Sequence, residues 1–176
     1  HQVIDCKDFT LFVGENNSGK TNIITALRAF YENEGYKYDK KSDFPKLPDT
    51  TDSESWVELE FITTDEEQEK LKDEYKRDDK ILTVRRYFES TDNNKIKKDN
   101  SNIFYVAMDG SISENNFYGA KNVSQAKLGK LIYIPEIATT DDTFKLTGPS
   151  PLRQVISFVF KKVLEKSDAF ASLDKA

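Results

Sequence analysis

Gly14-Glu15-Asn16-Asn17-Ser18-Gly19-Lys20-Thr21 fits the pattern G-x-x-x-x-G-K-[ST], in which a glycine-rich loop cradles phosphates. Upstream, Phe9-Thr10-Leu11-Phe12-Val13 reads as a short buried strand. Downstream, Asn22 to Tyr31 reads as a helix with an apolar stripe. Strand, loop and helix in that order form the context the motif requires. The bland alternative is an ordinary glycine-containing turn. At average composition, Gly, Gly, Lys and Ser/Thr at these fixed positions arise by chance in roughly one start per 30,000.

The chemistry gives each residue type a reason. Several negative charges must be held without a bulky side chain in the way, and glycine lets the backbone approach closely with positive φ. Successive N–H groups then converge into an anion nest, and the helix opened by Lys20 and Thr21 adds its free donors and dipole. The candidate binding residues are Gly14, Glu15, Asn16, Asn17, Ser18, Gly19, Lys20, Thr21 and Asn22. Lys20 is the catalytic candidate, reaching the β- and γ-phosphates, and the Thr21 hydroxyl is the candidate Mg²⁺ ligand. ATP and Mg²⁺ are the cofactors this pattern expects.

Length and composition bound the rest. The chain has 176 residues, enough for one domain with a real core. Hydrophobic residues make up 37 % and charged residues 32 %, and no apolar run approaches a membrane span, so a cytoplasmic protein is expected. The single Cys6 fits a reducing compartment and reads as a small strand residue. The only histidine, His1, leaves no basis for a His-centred metal site. A net charge of −5 argues against a simple DNA-binding module. The lysines at 37, 40 and 41 and at 95, 97 and 98 lie in polar, turn-rich stretches and read as solvated loops.

The order of elements is informative. Glu32 to Ser55 reads as a surface loop. Trp56 to Ile62 alternates as a half-buried antiparallel strand, and Thr63-Thr64-Asp65 caps a solvated helix running to Tyr75. Ile81 to Phe88 and Ile103 to Met108 read as further strands, with a hairpin turn at Asp109-Gly110. Leu131 to Ile134 reads as a short buried strand stopped by Pro135, and Ser150-Pro151 opens an amphipathic helix to Glu165. The expected class is α/β: a P-loop NTPase whose first helix is followed by an antiparallel strand set and flanking helices. Val3 to Cys6 reads as the end of an edge hairpin. Residues 1–176 are expected to be the N-terminal portion of one ATPase head in a longer protein.

An antiparallel set after the first helix looks like the ABC-type ATPase heads, in the branch with RecF and SMC proteins. The loop Gly14 to Asn22, followed by Ile23, Ile24, Ala26 and Leu27, closely resembles the OLD (overcoming lysogenization defect) family of ATP-dependent endonucleases, including the Gabija defence nuclease. Leu131-Ile132-Tyr133-Ile134-Pro135 and Ser150-Pro151-Leu152 resemble that family too. The resemblance implies an ATPase head joined to a Toprim nuclease domain that cuts DNA with carboxylates and divalent metal. It also implies a second head as partner in a dimer, and a role in DNA processing or phage defence. The different reading is a RecF- or SMC-like repair ATPase or clamp without nuclease activity; another is a nucleotide sensor that does not hydrolyse.

Two stretches mimic the second acidic motif of such ATPases. Phe104 to Asp109 ends in an acid, but no Glu follows, and an Asp-Gly hairpin is the simpler reading. Leu131 to Glu136 carries an acid after an intervening proline. Gln154 reads as a helix-surface residue rather than a nucleotide sensor, and Phe30 and Tyr31 read as core rather than as a base platform.

Overall fold

The computed structural model describes residues 2–44, 51–135 and 150–165. The chain divides into two compact units, residues 1–130 and 131–176. In the first, helix α1 (Lys20–Tyr31) leads through a 3₁₀ turn (Asn33–Gly35) into the short helix α2 (Lys40–Asp43). Strand β1 (Ser55–Ile62), helix α3 (Asp65–Lys70), a second 3₁₀ turn (Asp73–Tyr75) and strands β2 (Ile81–Glu89), β3 (Ile103–Val106) and β4 (Ile112–Asn116) follow, then helix α4 (Lys121–Lys127). The four strands form one antiparallel sheet in the order β1-β2-β3-β4.

The alternation read in β1 sets the sheet's inner face. Register pairs Val57 with Arg86, Leu59 with Val84 and Phe61 with Leu82, so these side chains share one face. That face packs on the core cluster of Phe30, Leu82, Val84 and Ile103. Phe30 of α1 is fully buried there, as its place in the apolar stripe predicts, and Tyr31 packs against the same cluster. Tyr75, Phe117 and Tyr118 close the other end, with Tyr75 and Phe117 ring centroids 4.7 Å apart.

Local signals read from the sequence are met where short-range chemistry governs. Thr64 caps α3 in a full capping box: its hydroxyl accepts from Glu67 N, and the Glu67 carboxylate accepts from Thr64 N. The Asp109-Gly110 turn joins β3 to β4, with Gly110 at φ 80° and the Asp109 carboxylate accepting from Ser111 N at 2.9 Å. Those Ser111 hydrogen bonds hold the Asp109 carboxyl below its ordinary range. Asp109 is thus a turn residue, as the hairpin reading had it.

Other expectations are corrected. The helix expected from Asp65 to Tyr75 ends at Lys70, because Leu71 turns extended (ψ 153°) to bury its side chain, and the chain re-coils at Asp73–Tyr75 to bury Tyr75. The Glu32–Ser55 connection carries α2 and stacks Tyr38 on Phe88, where a plain surface loop was expected; residues 45–50 lie outside the described ones. Strand β4 and helix α4 have no counterpart in the pattern reading, since Ile112-Ser-Glu-Asn-Asn116 is mostly polar.

In the second unit, helix α5 (Pro151–Glu165) begins as the Ser150-Pro151 pair predicts, the Ser150 hydroxyl accepting from Arg153 N at 3.2 Å. Gln154 lies half-buried on this helix. Leu131 to Ile134 forms no strand, and Ile134 is 60 % exposed; no described strand lies beside it to complete a ladder. Glu136 lies outside the described residues.

Candidate functional site

The motif builds a loop whose backbone donors face outward. Ser18 N donates to Glu15 O (3.3 Å), closing a turn over Asn16 and Asn17. Asn17 sits at φ 66° and Gly19 at φ 90°, two left-handed positions that bring successive amides to one side. Asparagine tolerates that region and glycine adopts it freely. Gly14 is needed for a different reason, since a Cβ there would meet Ser18 Oγ at 3.0 Å. Among the described residues, the amides of Asn16, Asn17, Gly19, Lys20 and Thr21 donate to no protein acceptor. Those of Lys20 and Thr21 belong to the first turn of α1, where the positive end of the helix dipole lies.

Lys20 points its ammonium back into this loop. Its Nζ donates to Gly14 O (2.7 Å), to Glu15 O (2.5 Å) and to Ser18 Oγ (3.3 Å). An ammonium has three donors, so all are engaged within the loop and the charge is held over its mouth. Thr21 and Asn22 follow on the first turn with exposed side chains, and Asn22 N closes the helix start on Gly19 O at 3.0 Å. The loop therefore offers open amides, a fixed cation and a free hydroxyl to a polyphosphate with its Mg²⁺. No group of three or more Asp, Glu, His or Cys able to hold a metal occurs among the described residues.

Residues 1–169 match the AAA ATPase domain. The chain belongs to that family. No curated protein and no solved structure matches it. The mixed α/β order, with an antiparallel sheet and flanking helices, is that of a P-loop NTPase, and the reaction class of an AAA ATPase domain is ATP binding and hydrolysis. No helix among the described residues is long and apolar enough to cross a membrane.

In this AAA ATPase domain the far end of α1 is clamped by a residue that sequence reasoning passed over. Arg86, 6 % exposed on β2, donates to Ala29 O (3.3 Å), Phe30 O (2.5 Å) and Glu32 Oε1 (2.6 Å). Glu32 caps α1 in the left-handed region and also pairs with Lys121. Burial pushes the Glu32 carboxyl up, but the hydrogen bonds and charges of Lys121 and Arg86 outweigh it and hold it below its ordinary value. The guanidinium sits where the negative end of the helix dipole lies, so one side chain ties the phosphate-loop helix to the sheet. The only sequence signal was an arginine at an inward register position of an otherwise apolar strand face.

The strand expected before the loop is absent among the described residues. Phe9, Leu11 and Val13 are 84 %, 72 % and 84 % exposed, and residues 9–13 make no ladder bonds. A strand needs a neighbour for its N–H and C=O groups, and none of the described residues supplies one. The same holds at Val3 to Cys6, where no hairpin forms and Cys6 is exposed rather than seated in a strand. The basic stretches are not all solvated loops: Lys40 and Lys41 lie in α2, Lys40 pairs with Glu89 (3.0 Å), and Lys95 is partly buried in a pair with Glu54 (2.8 Å).

Proposed function

We propose that Gly14 to Asn22 form the phosphate cradle of an ATP site, with Lys20 neutralising the β- and γ-phosphates and Thr21 ligating Mg²⁺. The observation that carries this is the loop itself, with open amides around an ammonium already seated in it. Bound Mg²⁺·ATP supplies the transferable γ-phosphoryl group and a cation that offsets its charge. The chain's own part is positional: left-handed Asn17 and Gly19 aim the amides, Lys20 exchanges loop carbonyls for phosphate oxygens, and Arg86 keeps α1 anchored. A water-positioning carboxylate is also needed for hydrolysis.

On this proposal residues 1–176 are the N-terminal part of an ABC-type head, and turnover takes place in a cytoplasmic dimer of heads. ATP there regulates DNA cleavage by a Toprim nuclease domain, as the OLD-family resemblance of the loop implies. Titration with Mg²⁺·ATP is expected to show binding that Lys20→Ala abolishes while the fold is kept, because Lys20 lies outside the core. Retained ATP binding in that variant overturns the cradle. Plasmid cleavage by the full-length protein, with divalent metal and with or without ATP, tests the nuclease part. ATP-responsive cleavage that requires Lys20 supports it. DNA-stimulated ATP hydrolysis with no cleavage under any metal favours a RecF- or SMC-like clamp instead.

A further inference from the structure

Helix α1 carries the phosphate loop at one end and is buried at the other. Its fully buried residues, Ala29 and Phe30, lie in its last turn, whereas Thr21 and Asn22 beside the loop are exposed. Residues 9–13, upstream of the loop, make no ladder bonds among the described residues. The position of the loop therefore depends on how the far end of α1 is held. At a rise of 1.5 Å per residue, Lys20 stands about 15 Å from Phe30 along the helix. A tilt of about 4° at the buried end moves the loop by roughly 1 Å. Displacements of that size are enough to spoil a bound geometry.

Two elements grip that end. From β2, Arg86 holds the carbonyls of Ala29 and Phe30 and one carboxylate oxygen of Glu32. From α4, Lys121 pairs with the other carboxylate oxygen of Glu32, and the C-cap residue Leu128 accepts the Tyr31 hydroxyl at 2.9 Å. Tyr31 and Glu32 are adjacent, yet they reach opposite ends of α4. Lys121 and Leu128 are seven residues apart, about 10 Å along that helix. A single contact leaves a pivot, whereas two contacts this far apart resist rotation as well. α4 is itself anchored. Leu128 belongs to the same core cluster as Phe30, and the fully buried Ser124 donates through its hydroxyl to Ala120 O at 2.8 Å. The chain turns on either side of α4 through left-handed Tyr118 (φ 54°), Gly119 (φ 71°) and Gly129 (φ 79°).

We propose that α4 is a brace that sets the tilt of the phosphate-loop helix, and that Lys121 and Tyr31 are positioning residues for nucleotide binding; the inference rests on the phosphate-cradle reading above. Both act from the far end of α1. The helix is a rigid rod of internal hydrogen bonds, so a rotation at Tyr31 and Glu32 reaches Lys20 and the open amides. The brace governs the polyphosphate as a whole, since the loop moves as a unit, and it is indifferent to the rest of the ligand. Coupling of this kind is reciprocal. If the closed brace favours the tilt that binds polyphosphate, bound polyphosphate favours the closed brace, and occupancy of the loop is felt at α4.

Isothermal titration of the full chain with Mg²⁺·ATP and with Mg²⁺·tripolyphosphate, well below each variant's melting temperature, tests this. Lys121→Met and Tyr31→Phe are each expected to weaken both ligands roughly threefold, and the two together about tenfold or more. Lys121→Arg restores a cation to Glu32 and is expected to keep wild-type affinity. Thr64→Ala breaks the α3 cap away from α1, so it separates lost stability from lost position and is expected to bind as wild type does. Hydrogen exchange gives a reading on wild type itself: Mg²⁺·tripolyphosphate is expected to slow the amides of residues 121–128, and the paired variant is expected to lose that protection. If the paired variant does not fold, the single variants and the wild-type exchange decide. Wild-type affinity in the folded Lys121→Met and Tyr31→Phe proteins overturns the brace. So does an equal loss in Lys121→Arg or Thr64→Ala, or wild-type exchange at 121–128 that ignores the ligand. In each of those cases the cradle stands if wild type binds and Lys20→Ala does not. If wild type binds neither ligand, cradle and brace both fall.

Discussion

Arg86→Met removes the clamp on the phosphate-loop helix while keeping a long apolar stem of similar reach. Ala29 O keeps its acceptance from Glu32 N at 3.3 Å, so the carbonyl newly orphaned is that of Phe30. A buried acceptor left unpaired costs about 1–3 kcal/mol. Glu32 loses one of its two cations but keeps Lys121, and its side chain is 21 % exposed, which sets its share at the lower end, about 1–2 kcal/mol. The sum, about 3 kcal/mol, lies at the bottom of the range for breaking a buried ion pair. It corresponds to a fall in melting temperature of roughly 10 °C for a domain of this size. Thermal and urea unfolding followed by circular dichroism measure it, and a cycle with Glu32→Gln isolates the pair. The pH dependence has a fixed sign. The Glu32 carboxyl is depressed in the folded state, so the pair's contribution is present above the ordinary carboxylate value of about 4.3 and is lost as pH falls through the lower folded value. The gap between wild type and Arg86→Met therefore narrows below about pH 4. A loss under about 1 kcal/mol, or a gap that widens in acid, refutes the reasoning.

Gly19→Ala forces a Cβ onto φ 90°, a cost of about 1–2 kcal/mol, and nucleotide titration is expected to show affinity reduced at least tenfold, since the loop relaxes away from its nest. Thr64→Ala breaks the capping box of α3 and is expected to lower urea stability by about 1 kcal/mol without touching nucleotide binding. Tyr31, whose hydroxyl donates to Leu128 O at 2.9 Å, is pushed up by burial to about 12. Stability tied to it is intact below the unfolded value of about 10 and is lost as pH rises toward the folded one. Ultraviolet titration is expected to show several tyrosines ionising late, since burial also raises Tyr36, Tyr38 and Tyr75, and Tyr31→Phe is expected to remove the latest step.

The parts of the molecule legible from the residues alone were those governed by neighbours a few positions away. The Ser150-Pro151 helix start, the Thr64 capping box and the Asp109-Gly110 turn each depend on backbone geometry within about four residues, so spacing and residue type settle them. The alternation of Val57, Leu59 and Phe61 also named its inner face correctly, because a strand's period of two is built into the backbone. Partnership across the chain was decided only in three dimensions. Phe9 to Val13 has strand composition yet no ladder among the described residues, since a strand is completed by another segment's hydrogen bonds. Polar β4 pairs because β3 and the hairpin turn bring it alongside. Arg86 shows in sequence only as an arginine on an otherwise apolar strand face, and 54 to 57 positions separate it from the groups it clamps. The same long-range packing brings Tyr38 and Phe88 together beside α1.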